Sequence, residues 1–234
     1  TNNNSTSGNG GGVWLENGGG LFTISSTIIS GNTSASSSGG VGSNGGSYII
    51  SRSKINGNAA AGSGGGFYGV SGSVQMDHVE ITDNTANSAG GGLYCQSIIS
   101  TLNHLTISNN TANYTGGGLR VCCDGPVNIE NSIFYNNSPQ EISYSSNDGG
   151  SPNIINVLYS NVSGGQAAVV PSIEDSLYWG PGNIDVDPFF ADTANGDYSL
   201  LAGSQCIDAG NPDADGDNIT WETDYDDRDP DMTR

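Results

Sequence analysis

The residues with the clearest chemical potential are an arginine and two histidines that recur at one interval. Arg52, His78 and His104 follow one another at steps of 26 residues, and Asp77 directly precedes the first histidine. Histidine is the side chain whose ordinary pKa permits proton transfer near neutral pH, and arginine can neutralise the carboxylate of an acidic sugar. If the 26-residue step is a structural repeat, we expect these side chains to form one stripe on a strand face.

Charged neighbours of this stripe extend its chemistry. The full candidate catalytic set is Arg52, Lys54, Asp77, His78, Glu80 and His104. A polysaccharide lyase needs a cation and a base beside a uronate carboxylate, whereas a glycoside hydrolase needs two carboxyl groups about 5–9.5 Å apart. Outward positions of a repetitive fold are polar in any case, so we predict a non-catalytic surface and keep a polysaccharide-degrading enzyme as the alternative.

A second constellation lies near the C-terminus. Its oxygen-bearing residues are spaced like the ligands of a calcium loop, with glycine at the sixth position: Asn211, Asp213, Asp215, Asp217 and Glu222. The first position is Asn rather than Asp, and no helix-forming sequence flanks the loop, so it is not half of an EF-hand pair. We predict a stand-alone Ca²⁺ site, with a solvated acidic tail as the alternative.

Four cysteines permit disulfide bonds if the chain is exported. Cys95 lies 27 and 28 residues before Cys122 and Cys123, close to one repeat, so stacking would bring it within bridging distance of either. We predict a bridge from Cys95 to Cys122 or to Cys123. The sequence leaves that choice, and the state of Cys206, open.

All of these positions depend on an internal repeat. Glycine triplets at 64–66, 90–92 and 116–118 are 26 residues apart, and a series of asparagines keeps nearly the same step: Asn32, Asn58, Asn84, Asn110 and Asn137. We expect Asn9 to begin the series one repeat earlier. Isoleucine or phenylalanine stands three residues before each later asparagine, and polar and apolar residues alternate around it, which is typical of short half-buried strands.

This repeat predicts an all-β fold, a right-handed parallel β-helix with coils of about 26 residues. Stacked coils lie about 4.8 Å apart, so the asparagines are expected to form a buried ladder in which each amide bonds to the next. The composition excludes helical solenoids, which need long stretches of good helix formers. We expect regular coils over 10–140, degenerate coils over 141–178, and an irregular acidic capping segment over 179–234 that carries the calcium loop.

Particular strings in the C-terminal segment resemble a known module. The strings are Trp179-Gly180-Pro181-Gly182-Asn183-Ile184-Asp185, Gly196-Asp197-Tyr198-Ser199-Leu200 and Gly203-Ser204-Gln205-Cys206-Ile207-Asp208-Ala209-Gly210. They are similar to the C-terminal module of bacterial surface β-helix proteins described as choice-of-anchor Q proteins. The preceding coils resemble polymorphic outer-membrane protein repeats. The resemblance implies an exported protein held at a cell surface, but it assigns no activity.

Charge and hydropathy restrict the partners of the chain. The net charge is −19 with five basic residues among 234, which disfavours nucleic acid and anionic membranes. No apolar run is long enough to span a bilayer. We therefore expect a secreted or surface protein of bacterial or archaeal origin, a scaffold stabilised by calcium that mediates adhesion, glycan binding or self-assembly. Unpaired strand edges at a coil end would favour end-to-end or strand-donating assembly. Regular Thr-x-Thr columns, typical of ice-binding faces, do not recur.

Overall fold

The computed structural model describes residues 1–16, 20–123, 125–145, 152–170 and 175–212. In chain order, the first strands are Asn4–Ser5 (β1), Val13–Glu16 (β2), Leu21–Ser25 (β3), Ile28–Ser30 (β4), Thr33–Ser34 (β5), Val41–Asn44 (β6), Ser47–Asn56 (β7) and Ala59–Ala60 (β8). The central strands are Phe67–Thr82 (β9), Thr85–Ala86 (β10), Leu93–Ser108 (β11), Thr111–Ala112 (β12), Leu119–Cys122 (β13), Pro126–Glu130 (β14) and Ile133–Tyr135 (β15). The last are Ile142–Ser145 (β16), Ile154–Leu158 (β17), Asn161–Val162 (β18), Val169–Val170 (β19), Ser176–Trp179 (β20), Phe190–Asp192 (β21) and Asp197–Leu200 (β22).

These strands form a parallel β-solenoid of about six turns, which confirms the predicted all-β fold and its repeat. One coil shows the plan: face A is 93–96, face B is 98–103, face C is 105–108 and face D is 111–112. Each residue of this coil pairs in parallel with the residue 26 positions earlier, for example Leu102 with Met76. The repeat read from the sequence is therefore the hydrogen-bonding period of the sheets.

Left-handed backbone conformations turn the chain from one face to the next. In the same coil, φ is +50° at Ser97, +50° at His104, +57° at Asn109 and +62° at Gly116. The two 16-residue strands β9 and β11 bend at such corners while their hydrogen bonding continues. Each coil is thus a set of short straight faces joined at four corners.

Alternation along each face places every second side chain in a narrow core. Leu93, Ile98, Leu102, Leu105 and Ile107 are all almost fully buried, and Leu93, Leu102 and Ile107 have apolar equivalents in both neighbouring coils. Full burial of such a side chain contributes about 1.5–3 kcal/mol, so stacked columns supply most of the favourable energy of the fold.

The asparagine series forms the predicted ladder. The Nδ2 atom of Asn58 donates to Oδ1 of Asn84 at 3.0 Å, and Nδ2 of Asn84 donates to Oδ1 of Asn110 at 3.0 Å. The backbone N–H of each rung donates to the same acceptor, and the second Nδ2 hydrogen bonds to a carbonyl, as in Asn84 to Ile55 O. Every rung from Asn32 to Asn137 is buried.

The two ends of the ladder differ from the sequence-based expectation. Its first rung is Asn3, whose N and Nδ2 atoms both donate to Oδ1 of Asn32 at 3.0 Å, whereas Asn9 instead accepts from Ser37 N on the other side of face D. The prediction that Asn9 begins the series is wrong, because the first step of the ladder, from Asn3 to Asn32, spans 29 residues rather than 26. At the other end Glu141 accepts the backbone N–H and Nδ2 of Asn137, so a buried carboxylate ends the ladder.

Glycines fit the close approach of neighbouring coils. A Cβ on Gly65 would collide with backbone atoms of Gly91 and Thr85, and one on Gly66 would lie 3.0 Å from Nδ2 of Asn84. The triplet therefore keeps the backbone close against the ladder. Non-glycine residues at these positions would push apart the strands that the ladder holds together.

The C-terminal residues leave the solenoid and pack along its side. Strand β20 still pairs with β17, and beyond it the antiparallel hairpin of β21 and β22 lies on the corner between faces C and D. Tyr198 donates its hydroxyl hydrogen to Asp83 and accepts from Asn109, at 3.0 and 2.8 Å. Phe190 meets the rings of Tyr198 and Tyr135 edge-on.

The described helices are two short 3₁₀ turns, Gly165–Ala168 and Thr193–Asn195. Within the described residues, no helix has the length and apolar character needed to cross a membrane.

The ladder predicts a steep cost for removing one rung. Asn84→Ala would leave two buried donors on Asn58 and the buried carbonyl acceptor of Ile55 without their partner, at about 1–3 kcal/mol for each group. We expect the free energy of unfolding in urea to fall by at least about 3 kcal/mol. Asn44→Ala, an exposed asparagine at the end of β6, is the matched control and should change it by less than about 0.5 kcal/mol. Equal losses in the two variants would contradict a ladder that stabilises the coils.

Glu141 makes stability depend on pH. Burial raises the pKa of this carboxyl to about 7, against the hydrogen bonds from Asn137 that lower it. Because the pKa of Glu141 is higher in the folded than in the unfolded chain, protonated Glu141 contributes its full stabilisation at pH values below the pKa of the unfolded chain. This stabilisation is lost as the pH rises through about 7.

Glu141→Gln removes this dependence and keeps an acceptor, since one amide oxygen can accept both donors as in the other rungs. Between about pH 5 and pH 8, we expect the wild type to lose up to roughly 3 kcal/mol relative to the variant. Urea unfolding at several pH values measures this difference, with Glu16→Gln as the control at an exposed acid. Parallel stability curves for wild type and Glu141→Gln would show that folding does not raise the pKa of Glu141.

Candidate functional site

The histidine column lies at the corner between faces B and C. Arg52, His78 and His104 occupy equivalent positions in three successive coils, with φ of +44°, +52° and +50°. The sequence predicted a stripe on a strand face, whereas the left-handed corner directs these side chains outward between two faces. Residues on both sides of the corner, such as Leu102 and Leu105, are buried and fix its position.

Asp77 joins the two histidines. Its Oδ2 lies 2.9 Å from Nδ1 of His78, and its Oδ1 lies 3.1 Å from Nδ1 of His104. The two imidazole rings stack with centroids 4.4 Å apart and planes inclined by 25°. Partial burial alone would raise the pKa of Asp77, but hydrogen bonds from the two histidines outweigh it and keep the pKa below its ordinary value.

The remaining members of the candidate catalytic set are separated from this cluster. Lys54 and Glu80 pair across neighbouring coils on face C, with Nζ and Oε2 2.7 Å apart. Because the pair is substantially exposed, its contribution to stability is small. The structure thus divides the six candidates into a corner column with Asp77 and an ion pair beyond it.

A groove of about 320 Å³ on the outer side of face B adjoins the cluster. Its polar lining comes from three coils and comprises Gln75, Asp77, Thr101, Asn103, Asn128 and Glu130. Asp77, Asn103 and Glu130 form one column and Gln75, Thr101 and Asn128 another, because each residue pairs with its equivalent in the next coil. The sequence does not reveal this groove, since its residue types differ from coil to coil.

Hydrogen bonds orient the amides of the groove. Oδ1 of Asn103 accepts from Nδ2 of Asn131 at 3.0 Å, and Oδ1 of Asn128 accepts from Nδ2 of Asn156 at 2.7 Å. With their oxygens fixed in this way, the two amides direct their N–H groups as donors. Asp77 and Glu130 place carboxylate acceptors in the same groove.

The C-terminal segment closes one end of this region. Asn211 donates from Nδ2 to Glu130 at 2.8 Å and from its backbone to Asn131 at 2.6 Å. A cavity of about 250 Å³ lies beneath the segment, with His104, Asn131 and Cys206 among its walls. The first residue of the predicted calcium loop is therefore anchored beside the groove. Asp213, Asp215, Asp217 and Glu222 lie outside the described residues, and the Ca²⁺ site stays a prediction.

An aromatic stripe runs along the outer side of face A. Trp14, Tyr68 and Tyr94 stack in sequence, with ring centroids 6.4 and 5.1 Å apart, and Arg120 follows in the same register. Gly42 stands between Trp14 and Tyr68, where a Cβ would collide with the Trp14 ring. The faces of the rings pack against one another, so the stripe stabilises the stacking of coils. Only the edges of the rings are then available to a binding partner. The 26-residue step from Tyr68 to Tyr94 to Arg120 was its signal in the sequence.

The cysteines are arranged differently from the predicted bridge. Cys95 pairs in register with Val121 and faces the core, whereas Cys122 pairs with Gln96 and lies on the opposite side of the sheet. Among the described residues no disulfide joins Cys95 to Cys122 or Cys123. Burial raises the pKa of the Cys95 thiol to about 12. The sulfurs that approach each other are those of Cys122 and Cys123, 2.7 Å apart at a left-handed corner.

Comparison with known proteins adds no assignment. No family model matches the chain, and searches of curated proteins and of solved structures found no significant relative. The resemblance to choice-of-anchor Q proteins and to polymorphic outer-membrane protein repeats therefore rests on the quoted motifs alone. What is established is the fold.

The predicted calcium loop has a direct test. If Ca²⁺ binds the folded chain, the chain gains roughly 2.7 kcal/mol at a free concentration about a hundredfold above the dissociation constant. We expect a chelator to lower the melting temperature, and the double variant Asp213→Asn with Asp215→Asn to abolish this sensitivity. Addition of Mg²⁺ is the control, since its octahedral preference fits such loops poorly. A melting temperature unchanged by chelation would remove the calcium site.

Proposed function

We propose that the chain is a non-catalytic β-helix scaffold at the cell surface or in the extracellular space, where it adheres to neutral glycans through the groove on face B. The predicted calcium site would stabilise it. The observation that carries this proposal is the pair of oriented amides, Asn103 and Asn128, in one groove with the carboxylates of Asp77 and Glu130. The β-helix itself supports the scaffold role.

The chemistry of the groove suits sugar hydroxyls. Each hydroxyl both donates and accepts a hydrogen bond, so neighbouring hydroxyls are recognised by donors and acceptors placed side by side. Here three successive coils contribute the carboxylate of Asp77, the amide of Asn103, and both the amide of Asn128 and the carboxylate of Glu130. Because hydrogen bonds from Asn131 and Asn156 already hold the amides of Asn103 and Asn128, little side-chain entropy is lost when a ligand binds.

Charge favours neutral over acidic glycans. A chain of net charge −19 repels uronates and sulfated sugars, particularly at low ionic strength. Within the groove the described charged residues are the acids Asp77 and Glu130. A neutral polysaccharide avoids this repulsion and gains the hydrogen bonds.

One feature of the groove favours the alternative of a polysaccharide-degrading enzyme, and another opposes it. Asp77 and Glu130 share the groove two coils apart, about 10 Å by coil spacing, near the upper limit for an inverting glycosidase. One carboxyl group of such a pair must carry a proton as general acid. Hydrogen bonds from His78 and His104 instead keep Asp77 ionised, and Glu130 is bonded to Asn211. These contacts favour binding without cleavage.

Neutral oligosaccharides, such as cello-, xylo- and manno-oligomers, test this proposal by isothermal titration calorimetry. We expect at least one class to bind, and the double variant Asn103→Ala with Asn128→Ala to weaken it by about tenfold or more, the equivalent of about 1.4 kcal/mol. Tyr94→Phe, which removes a hydroxyl on face A, is the matched control and should bind normally. Failure of every neutral class to bind would overturn the glycan proposal.

The same incubations distinguish binding from catalysis. A scaffold releases no reducing ends and no unsaturated product from neutral polysaccharides, pectin, alginate or glycosaminoglycans. Product release that Glu130→Gln or Asp77→Asn abolishes would replace the scaffold by a hydrolase. Release abolished by Arg52→Ala or His78→Ala would indicate a lyase.

Self-assembly is the remaining role predicted from the sequence. Leu21 and Ile28 of the first coil are exposed, at 63% and 61%, and Phe22 and Ile24 are only partly buried. Such an edge accepts a further strand or coil readily. This observation favours assembly in which a strand of another molecule covers the first coil. End-to-end stacking and strand donation would both supply such a strand.

A further inference from the structure

We propose that Asp77, His78 and His104 form a binding site for a divalent transition-metal ion, with Zn²⁺ as the ion that suits them best. One ligand atom from each residue lies within 4.8 Å of the others. Two imidazole nitrogens and one carboxylate oxygen are ligands that zinc, nickel and copper favour over calcium or magnesium. The proposed site is distinct from the predicted calcium loop and from the amide donors of the groove.

The distances are close to those of a bound ion. Zinc holds nitrogen and oxygen at about 2.0–2.2 Å, which in tetrahedral geometry places two ligand atoms on one ion about 3.3–3.6 Å apart. Nδ1 of His78 and Nδ1 of His104 are already 2.9 and 3.1 Å from the oxygens of Asp77. An ion that replaces the shared protons therefore requires only small movements of the carboxylate relative to each ring.

The histidine rings must turn for this purpose. They stack with planes inclined by 25°, and an ion shared by both Nδ1 atoms lies near the plane of each ring. Both side chains are substantially exposed, at 59% and 40%, so rotation about the Cβ–Cγ bond meets little packing resistance. Solvent access also leaves room for water molecules to complete the coordination.

The β-helix supplies the fixed part of the site. His78 and His104 occupy one corner position in adjacent coils, so their backbones are held about 4.8 Å apart by the continuous pairing of β9 with β11. Asp77 ends face B immediately before the corner and therefore points its carboxylate beside both rings. Arg52, the equivalent of His78 in the preceding coil, does not extend the site, because a guanidinium cannot act as a metal ligand.

The chain contains two histidines, so their ring signals are unambiguous in an NMR titration. With ¹⁵N-histidine-labelled full-length chain in excess Ca²⁺ and a reductant, we expect Zn²⁺ to shift the Nδ1 resonances of both rings at one equivalent. Excess Ca²⁺ occupies the acidic oxygen sites, so that Zn²⁺ does not bind there. Zinc bound to cysteine thiols does not shift the histidine ring signals. Zinc uptake that leaves both ring signals unchanged would overturn the proposal, as would absence of uptake.

Matched variants test the three ligands by calorimetry. His78→Asn, His104→Asn and Asp77→Asn should each weaken Zn²⁺ binding by about tenfold or more, the equivalent of about 1.4 kcal/mol. Asparagine preserves the corner, since Asn131 occupies the equivalent position in the next coil with φ of +50°. Glu80→Gln, which removes a nearby acid paired with Lys54, is the control and should leave the affinity unchanged. Equal affinity in all four variants would place the ion elsewhere and overturn the site.

Discussion

Hydrogen bonding between equivalent residues of successive coils is the constraint on which the structure depends. Asn58, Asn84 and Asn110 each donate twice to the next rung of the asparagine ladder and once to a backbone carbonyl, and all three side chains are buried. A buried amide without a partner costs more than an ordinary hydrogen bond contributes, so no rung can move independently of its neighbours. The spacing from the inner face B residue to the rung is accordingly eight residues in each coil from Ile24–Asn32 to Ile129–Asn137.

Variation in coil length is confined to other parts of the coil. Leu93 pairs with the residue 26 positions later, whereas Ser100 pairs with the residue 27 positions later, so the extra residue lies at the corner between faces A and B. That corner contains Cys123 at φ +61°. Insertions there leave the ladder in register, because they are absorbed outside the stretch that positions the asparagines.

The sequence predicted those features whose residue types repeat, and only those. Columns of Ile, Gly and Asn are dictated by burial and close approach, so one period reveals fold, core and ladder together. The cysteine prediction failed on a single residue of register: Cys122 is 27 positions after Cys95 in a stretch where the period is 26, and a shift by one residue turns a strand side chain to the opposite face. The groove joins residues that the repeat aligns but whose types differ from coil to coil, and the return of Tyr198 to Asp83 joins residues that no repeat relates, so neither was visible in the sequence.

The corner between faces B and C shows how function can be separated from architecture in such a fold. Ser26, Arg52, His78, His104 and Asn131 all adopt the left-handed conformation at this one position. Since serine and asparagine satisfy the corner equally well, the fold does not require histidine there. Two histidines in adjacent coils, together with an aspartate that bonds to both, therefore exceed what packing demands. In a solenoid, residues that differ from their equivalents in other coils and together form one set of ligands are better explained by binding than by packing.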